Sequence, residues 1–147
     1  MSDNQPLTKN LNLLLCNLQL FYQNVRGFHW YTRGNTFFEL HQKFEELYIY
    51  LFEYIDEVAE RIATLGGKPI FAPTEIQAQA TIPVAQDLTD GTNNLRQSLA
   101  SLQVIIDNEK EILAMAMQAK DYGTVELIQH HLAKQEKLAW LYHSYLT

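Results

Sequence analysis

The chain contains one cysteine, Cys16, among its 147 residues. A single thiol excludes an intrachain disulfide and a metal site built from several thiolates, which fits a reducing compartment. Because Cys16 lies among leucines, we expect a packed thiol without chemistry. Residues 1–10 have no basic leader pattern, and the apolar run at residues 11–16 is too short to span a membrane, so the cytoplasm is the default expectation.

Glycine and proline are also few, with six and four residues, and hydrophobic residues make up 47% of the chain. This composition is typical of a folded globular protein and argues against disorder. A chain of 147 residues can bury one sizeable core but is short for two. The sequence therefore predicts a single domain over residues 1–147.

Positive charge is scarce, because 11 Lys and Arg residues stand against 17 Asp and Glu residues and the formal net charge is −6. Without a Lys/Arg cluster, the chain lacks the basic face that phosphate backbones require, which disfavours nucleic acid as a partner. An acidic protein can instead attract cations where its carboxylates converge. The H-E-x-x-H, Walker A and dinucleotide glycine motifs are absent, so zinc-protease and nucleotide-binding functions have no support.

Apolar residues recur at helical spacing in four long segments, and no segment alternates as a strand does. The sequence predicts helices over residues 7–31 and 37–65, from Asp90 or Thr92 to Lys120, and from about residue 124 to the C-terminus. Thr36 and Thr124 are the expected N-caps, and two glycines end the second helix. The buried stripe of the fourth helix is predicted at Val125, Ile128, Leu132, Leu138, Leu141 and Tyr145.

The connection at residues 66–89 is long and holds Pro69, Pro73 and Pro83. Such a connection usually spans a bundle, so that the third helix runs parallel to the second, and a short helix is possible within residues 74–80. An all-α, ferritin-like four-helix bundle with one long crossover is a natural solution. The pattern alone leaves other up-down bundles open.

The second helix carries two pairs of potential metal ligands, His41 with Glu45 and Asp56 with Glu60, each four residues apart on one helix face. The pairs face the same way, but the eleven residues from Glu45 to Asp56 separate them by about 16 Å along the helix axis. One metal ion cannot bridge that distance.

A two-fold axis near residues 50 and 51 would resolve this geometry. The residue numbers of His41 and Glu60 add to 101, as do those of Glu45 and Asp56. An antiparallel copy of the helix would therefore place one subunit's His41 pair opposite the other subunit's Asp56 pair, which gives two symmetric sites per dimer. His29 could fold over the turn as a third ligand. Such ligands suit divalent iron, manganese or zinc.

Structural explanations compete at each position. A lone histidine on an apolar helix face is more often a hydrogen-bonded core residue than a ligand, and Asp56 and Glu60 alone are ordinary surface acids. Trp30 and the neighbouring aromatic residues suit a core or a dimer interface better than redox chemistry. We expect three further histidines to lie on the surface: His130, His131 and His143. The combined, symmetric spacing favours ligands over these alternatives.

The residues of the first two helices resemble the signature of the Dps-type mini-ferritins, the DNA-binding proteins from starved cells. The resemblance rests on Asn24, His29-Trp30, Gly34, Phe38, Leu40-His41, Phe44, Tyr48, Asp56 and Ala59-Glu60-Arg61. It extends along the chain through Asp121-x-x-Thr124-x-Glu126-Leu127 and Glu136-Lys137-x-x-Trp140.

This resemblance implies a hollow homododecamer with ferroxidase sites at its two-fold interfaces. One subunit would contribute His29, His41 and Glu45, and its mate would contribute Asp56 and Glu60. Trp30 matches the tryptophan beside the site that is thought to intercept oxidising equivalents. Such proteins oxidise ferrous iron, preferably with hydrogen peroxide, and store the ferric product as a mineral in the cavity.

Two residues depart from the family pattern. Glu45 replaces the usual Asp, and its added methylene could bring the carboxylate into direct contact with the metal. Glu126 replaces another usual Asp, and His130 follows it on the same helix face. Acidic residues in this region of the family line a three-fold iron-entry pore, so Asp121, Glu126 and His130 are candidate pore residues.

Three functions remain in view. The first is iron oxidation and storage with the ligands named above, and the second is a nucleoid protein that coats DNA without a strong ferroxidase role. The third is a structural bundle whose polar cluster only sets dimer register. The larger ferritins use Glu-x-x-His pairs inside one subunit, and this chain has none, which favours the interfacial design.

We predict no tight DNA binding near neutral pH. Family members often bind DNA through a lysine-rich tail that contacts phosphates, whereas residues 1–10 hold one Lys and one Asp. In a gel-shift assay at modest salt and protein concentration, linear DNA should migrate as free DNA. A retarded band that weakens as salt is raised would contradict this expectation.

Overall fold

The computed structural model describes residues 5–147, which form five helices. These are α1 (Gln5–Tyr31), α2 (Phe37–Thr64), the short α3 (Pro73–Gln79), α4 (Gly91–Gln118) and α5 (Tyr122–Leu146). The four long helices enclose one apolar core, in which Cys16 is fully buried as expected. The prediction of an all-α four-helix bundle with a short helix in the crossover is confirmed. No helix among the described residues is long and apolar enough to span a membrane.

Two aspartates begin the last two long helices. The Asp90 carboxylate accepts a hydrogen bond from the backbone N–H of Asn93, and the Asp121 carboxylate accepts one from the backbone N–H of Thr124. The prediction that Thr124 caps the fourth helix is therefore wrong, because Thr124 is buried in the first turn. Thr36 does occupy the N-cap position of α2, but its side chain makes no capping hydrogen bond.

The crossover is held against α1 by three asparagines that pair with its backbone. Asn12, Asn17 and Asn24 each accept hydrogen bonds from crossover N–H groups, respectively those of Ile70, of Thr81 and Ile82, and of Ala85. The partners advance along the crossover as the asparagines advance along α1. The crossover therefore runs the length of the bundle, and α4 starts at the end where α2 starts, so α4 runs parallel to α2.

The inward face of α5 is polar in part, and this overturns two expectations. His131, expected on the surface, is only 4% exposed, and Gln135 on the same face is 1% exposed. Leu141 and Tyr145, expected in the buried stripe, are 45% and 46% exposed. The apolar pattern predicted the wrong buried face of α5, because the face that is buried carries polar side chains. Their hydrogen bonds offset the cost of burial.

We predict that Asn17→Ala destabilises the protein more than Asn12→Ala does. Asn17 is fully buried and its loss leaves the backbone N–H groups of Thr81 and Ile82 without their acceptor, whereas Asn12 is only partly buried. Ile82 is buried, and a buried donor left unpaired costs about 1–3 kcal/mol. Urea unfolding at one protein concentration should rank the variants in this order, and equal midpoints would contradict the role assigned to Asn17.

Candidate metal centre

His29 and His41 meet where α1 turns into α2. The turn is made by residues 32–36, in which Gly34 adopts a φ of +104° that L side chains rarely take. The reversal brings the two imidazole rings into a parallel stack, with centroids 3.7 Å apart and planes 15° apart. His29 is 7% exposed, so the pair lies at the edge of the core.

The two histidines orient each other through reciprocal hydrogen bonds. His29 Nδ1 lies 2.7 Å from the backbone carbonyl oxygen of His41, and His41 Nδ1 lies 2.8 Å from that of His29. A carbonyl oxygen can only accept, so both Nδ1 atoms must carry the proton. Both Nε2 lone pairs are thereby left available, and a backbone acceptor behind each ring is the usual support for a metal-binding histidine.

Aromatic rings restrict the movement of this histidine pair. Tyr48 contacts the His29 ring edge-on at a centroid distance of 5.3 Å. Phe37 stacks on the other side of His41 at 4.8 Å. Packing on both outer sides holds the imidazoles in one orientation, which reduces the entropy that metal binding would cost.

The three candidate carboxylates, Glu45, Asp56 and Glu60, are exposed on α2. Their side chains make no hydrogen bond or ion pair with other residues in the range 5–147, so all are available to a ligand. Asp56 and Glu60 lie on the same helix as His41, 15 and 19 residues further on, which places them about 22 and 28 Å away along its axis. Within residues 5–147, the chain brings no three His, Cys, Asp or Glu side chains together in a metal-binding arrangement.

Apolar side chains separate the two ligand pairs on the outer face of α2. Ile49 is 49% exposed and Phe52 is 62% exposed, and they lie at helical spacing between Glu45 and Asp56. Large apolar side chains grouped on a surface mark an interaction site more often than single ones do. The face is therefore suited to packing against another helix with the ligands at both ends.

Trp30 lies beside the pair but points to solvent, with 55% of its surface exposed. The Arg26 guanidinium carbon lies 4.8 Å from its ring centroid and 5.4 Å from that of Tyr22. Of the two roles expected for Trp30, core packing is therefore ruled out within one chain, while an interface role remains open.

The candidate pore residues divide into two groups. Asp121 forms a 2.7 Å ion pair with Arg61 and bonds to Thr124. Although burial alone would raise the pKa of Asp121, these hydrogen bonds and the Arg61 charge hold it below its usual value. Asp121 thus joins α2 and α5, and its expected pore role stays a prediction. Glu126 and His130 are exposed and line a shallow hollow with Gly123 and Leu127.

Sequence reasoning missed a second polar cluster, which lies inside the bundle. Tyr54 donates a 2.5 Å hydrogen bond to Glu109, which is fully buried. Burial raises the pKa of Glu109 to about 8, although hydrogen bonds from Tyr54 and Gln135 act in the opposite direction. The available signal was the position of Glu109 on the apolar stripe of α4, three residues from both Ile106 and Ile112.

A four-helix bundle with one long crossover is the architecture of ferritin-like proteins, and here its second helix carries His41 and several carboxylates. A family model described as the ferritin-like domain matches residues 8–147. A relative named DNA protection during starvation protein, from Porphyromonas gingivalis, is 42% identical over 97% of this chain and 89% of its own. General stress protein 20U of Bacillus subtilis is 30% identical over 97% of this chain and 98% of its own.

Solved structures agree with these sequence matches. The Dps protein of Vibrio cholerae, described as a member of a superfamily of ferritin-like diiron-carboxylate proteins, superposes with a TM-score of 0.97 at 38% identity, covering 99% of this chain and 92% of its own. Dps from Staphylococcus aureus gives 0.93 at 31% identity, over 97% and 96% of the two chains. The chain belongs to the Dps-type mini-ferritins of the ferritin-like family.

We predict that His41→Ala weakens zinc binding by at least about tenfold, because the change removes a ligand and also the ring that stacks on His29 at 3.7 Å. Isothermal titration calorimetry on metal-free protein measures this directly. His143→Ala, which removes an exposed histidine on α5, is the matched control and should bind zinc as the unmodified protein does. Equal affinity in both variants would contradict the assignment of the histidine pair as ligands.

Proposed function

We propose that the chain is a ferroxidase and iron-storage subunit, which oxidises Fe(II), preferably with hydrogen peroxide, and retains the ferric product inside a hollow homododecamer. The observation that carries the proposal is the stacked histidine pair, whose mutual hydrogen bonds leave both Nε2 atoms free. Neutral imidazole nitrogen with carboxylate oxygen is a ligand set that suits Fe(II), and zinc or manganese can use the same atoms.

Each site is completed by a second subunit. His41 and Glu45 lie at one end of α2, where His29 of α1 stacks on His41, and Asp56 and Glu60 lie at the other end. An antiparallel α2 from a two-fold mate would bury Ile49 and Phe52 at the centre of the contact. This two-fold packing would also place the mate's Asp56 and Glu60 next to each histidine pair. A single helix–helix contact would therefore form two metal sites.

The candidate ligands need only bind iron and stabilise the change in its charge. Iron is the substrate: two Fe(II) ions each lose one electron, and hydrogen peroxide takes both electrons and two protons to give two waters. The imidazoles bind Fe(II) without adding charge, and the carboxylates stabilise the higher charge of Fe(III). Glu45 reaches one methylene further than an aspartate at that position would, which favours direct binding of its carboxylate to iron.

Relatives named for DNA protection favour a second candidate, a protein that protects DNA. Consumption of peroxide together with Fe(II) protects DNA chemically without contact, which is compatible with the net charge of −6. Direct coating of DNA would instead require the cationic surface that the composition lacks. We place the activity in the cytoplasm, where ferrous iron and DNA occur together.

A subunit-mixing experiment tests the shared site. His29→Ala with His41→Ala removes one half of the ligand set, and Asp56→Asn with Glu60→Gln removes the other half. Each variant alone should lose rapid ferrous oxidation by peroxide. When the two are unfolded, mixed equally and refolded, half of the dimers are mixed and each has one intact site, so about a quarter of the activity should return.

The control is a mixture of the histidine variant with the unmodified protein, followed by stopped-flow absorbance after anaerobic ferrous loading. Activity that fails to return in the mixed variants, while each variant still assembles, would show that the ligands do not come from two subunits. Unchanged activity in the histidine variant alone would refute the site itself and favour a polar cluster that only sets dimer register.

A further inference from the structure

A continuous hydrogen-bond chain crosses from the interior of the bundle to its surface. The Gln135 amide nitrogen lies 3.0 Å from the Tyr50 hydroxyl, and that hydroxyl lies 2.7 Å from His131 Nδ1. On its other side, His131 Nε2 lies 3.1 Å from a Glu57 carboxylate oxygen. The Glu57 side chain is 48% exposed, so the chain ends at solvent.

The chemistry of these groups sets the direction of the chain. An ionised carboxylate can only accept, so His131 Nε2 carries the proton and Nδ1 is the acceptor. Tyr50 must then donate to His131, and Gln135 donates to Tyr50. Burial keeps His131 neutral by lowering its pKa, against the opposing effect of Glu57. Burial also raises the pKa of Tyr50 well above its usual value, so Tyr50 does not ionise by itself.

This arrangement suits a phenol that loses an electron and a proton together. Removing one electron from a phenol makes its hydroxyl strongly acidic, and a neutral imidazole 2.7 Å away can take the proton at once. The product is a neutral tyrosyl radical beside an imidazolium that Glu57 stabilises. The positive charge therefore leaves the phenol for the His131 imidazole, where the pairing with Glu57 offsets part of the cost of burial.

We propose that Tyr50, with His131 as its proton acceptor, is an internal one-electron donor that completes peroxide reduction when a site holds only one Fe(II). This inference rests on the proposed function. Hydrogen peroxide then takes one electron from Fe(II), one from Tyr50 and two protons from solvent. The products are two waters, Fe(III) and the tyrosyl radical, with the tyrosine proton held on His131, and no hydroxyl radical is released.

The position of Tyr50 suits this role. It lies between Glu45 and Asp56 on the helix that carries the ligands, about 8–9 Å along the axis from each. Its ring faces the bundle interior, where Tyr54 lies at a centroid distance of 6.0 Å and stacks on His131 at 3.7 Å. Tyr50 thus lies between the two candidate ligand pairs along the helix, on the face turned away from them, and is partly buried.

Two other aromatic residues are less suitable. The Tyr54 hydroxyl donates to Glu109, which is fully buried and has no described path to solvent for a proton. A cation over the ring does not separate Trp30 from Tyr50, because Arg26 lies 4.8 Å from the Trp30 ring centroid and Lys134 lies 4.4 Å from that of Tyr50. Trp30 is less suitable because its indole N–H has no hydrogen-bond acceptor among residues 5–147 that could take its proton. The hydrogen-bond chain to solvent distinguishes Tyr50 from both.

Rapid-freeze electron paramagnetic resonance tests the assignment. Protein loaded anaerobically with one Fe(II) per site is mixed with one equivalent of hydrogen peroxide, and we expect a tyrosyl signal that narrows when ring-deuterated tyrosine is incorporated. Tyr50→Phe should lose the signal, and His131→Gln should lose it although Tyr50 is still present. Tyr122→Phe, which changes a tyrosine that is 68% exposed, should retain it.

The outcomes separate the two proposals. Iron oxidation by peroxide without any tyrosyl signal would overturn the role of Tyr50 and leave the ferroxidase function intact. The same follows if the signal survives Tyr50→Phe, or is lost only in Tyr54→Phe or Trp30→Phe. A protein that does not oxidise iron with peroxide overturns both. If Tyr50→Phe fails to fold by circular dichroism, the His131→Gln variant and the deuterium label decide the assignment.

Discussion

The reciprocal hydrogen bonds between His29 and His41 are the constraint on which the candidate centre depends. They require the last turn of α1 and the first turns of α2 to lie within bonding distance of each other. The packing of α4 against this corner enforces that approach: a Cβ at Gly91 would lie 2.7 Å from Leu40 and 2.9 Å from Thr32. Gly91 therefore lets the start of α4 pack closely against the turn between α1 and α2. This packing holds the turn in the conformation that orients both histidine rings.

Helix α2 presents two chemically different faces. Its outer face carries the candidate carboxylate ligands and the exposed apolar side chains Ile49 and Phe52, and its inner face carries Tyr50 and Tyr54 in a polar network with α4 and α5. The 3.6-residue period of the helix separates these faces while keeping them within a helix diameter of each other. One helix can therefore present the candidate iron ligands on one face and the proposed electron donor on the other.

Much of the fold was predictable from the sequence, because the apolar stripes of α1, α2 and α4 follow the helical period closely. The face of α5 was not, since His131 and Gln135 are buried through partners on other helices that no local pattern shows. The capping aspartate of α5 was missed for a related reason: Thr124 and Asp121 are both good caps by residue type, and only the backbone geometry selects between them. In the candidate metal centre, the candidate ligands were predictable from their sequence spacing, but the mutual orientation of the two histidines was not.

The sequence by itself determined the helical class, the two ligand pairs on α2 and the distance between them, because helix geometry converts residue numbers into positions. Only the tertiary structure decided which nitrogen of each histidine is free, that Asp121 is held by Arg61, and that a tyrosine, a histidine and a glutamate form a path to solvent. These features depend on contacts between residues far apart in the chain. Such contacts are set by how the helices pack, and the period of any one helix carries no record of them.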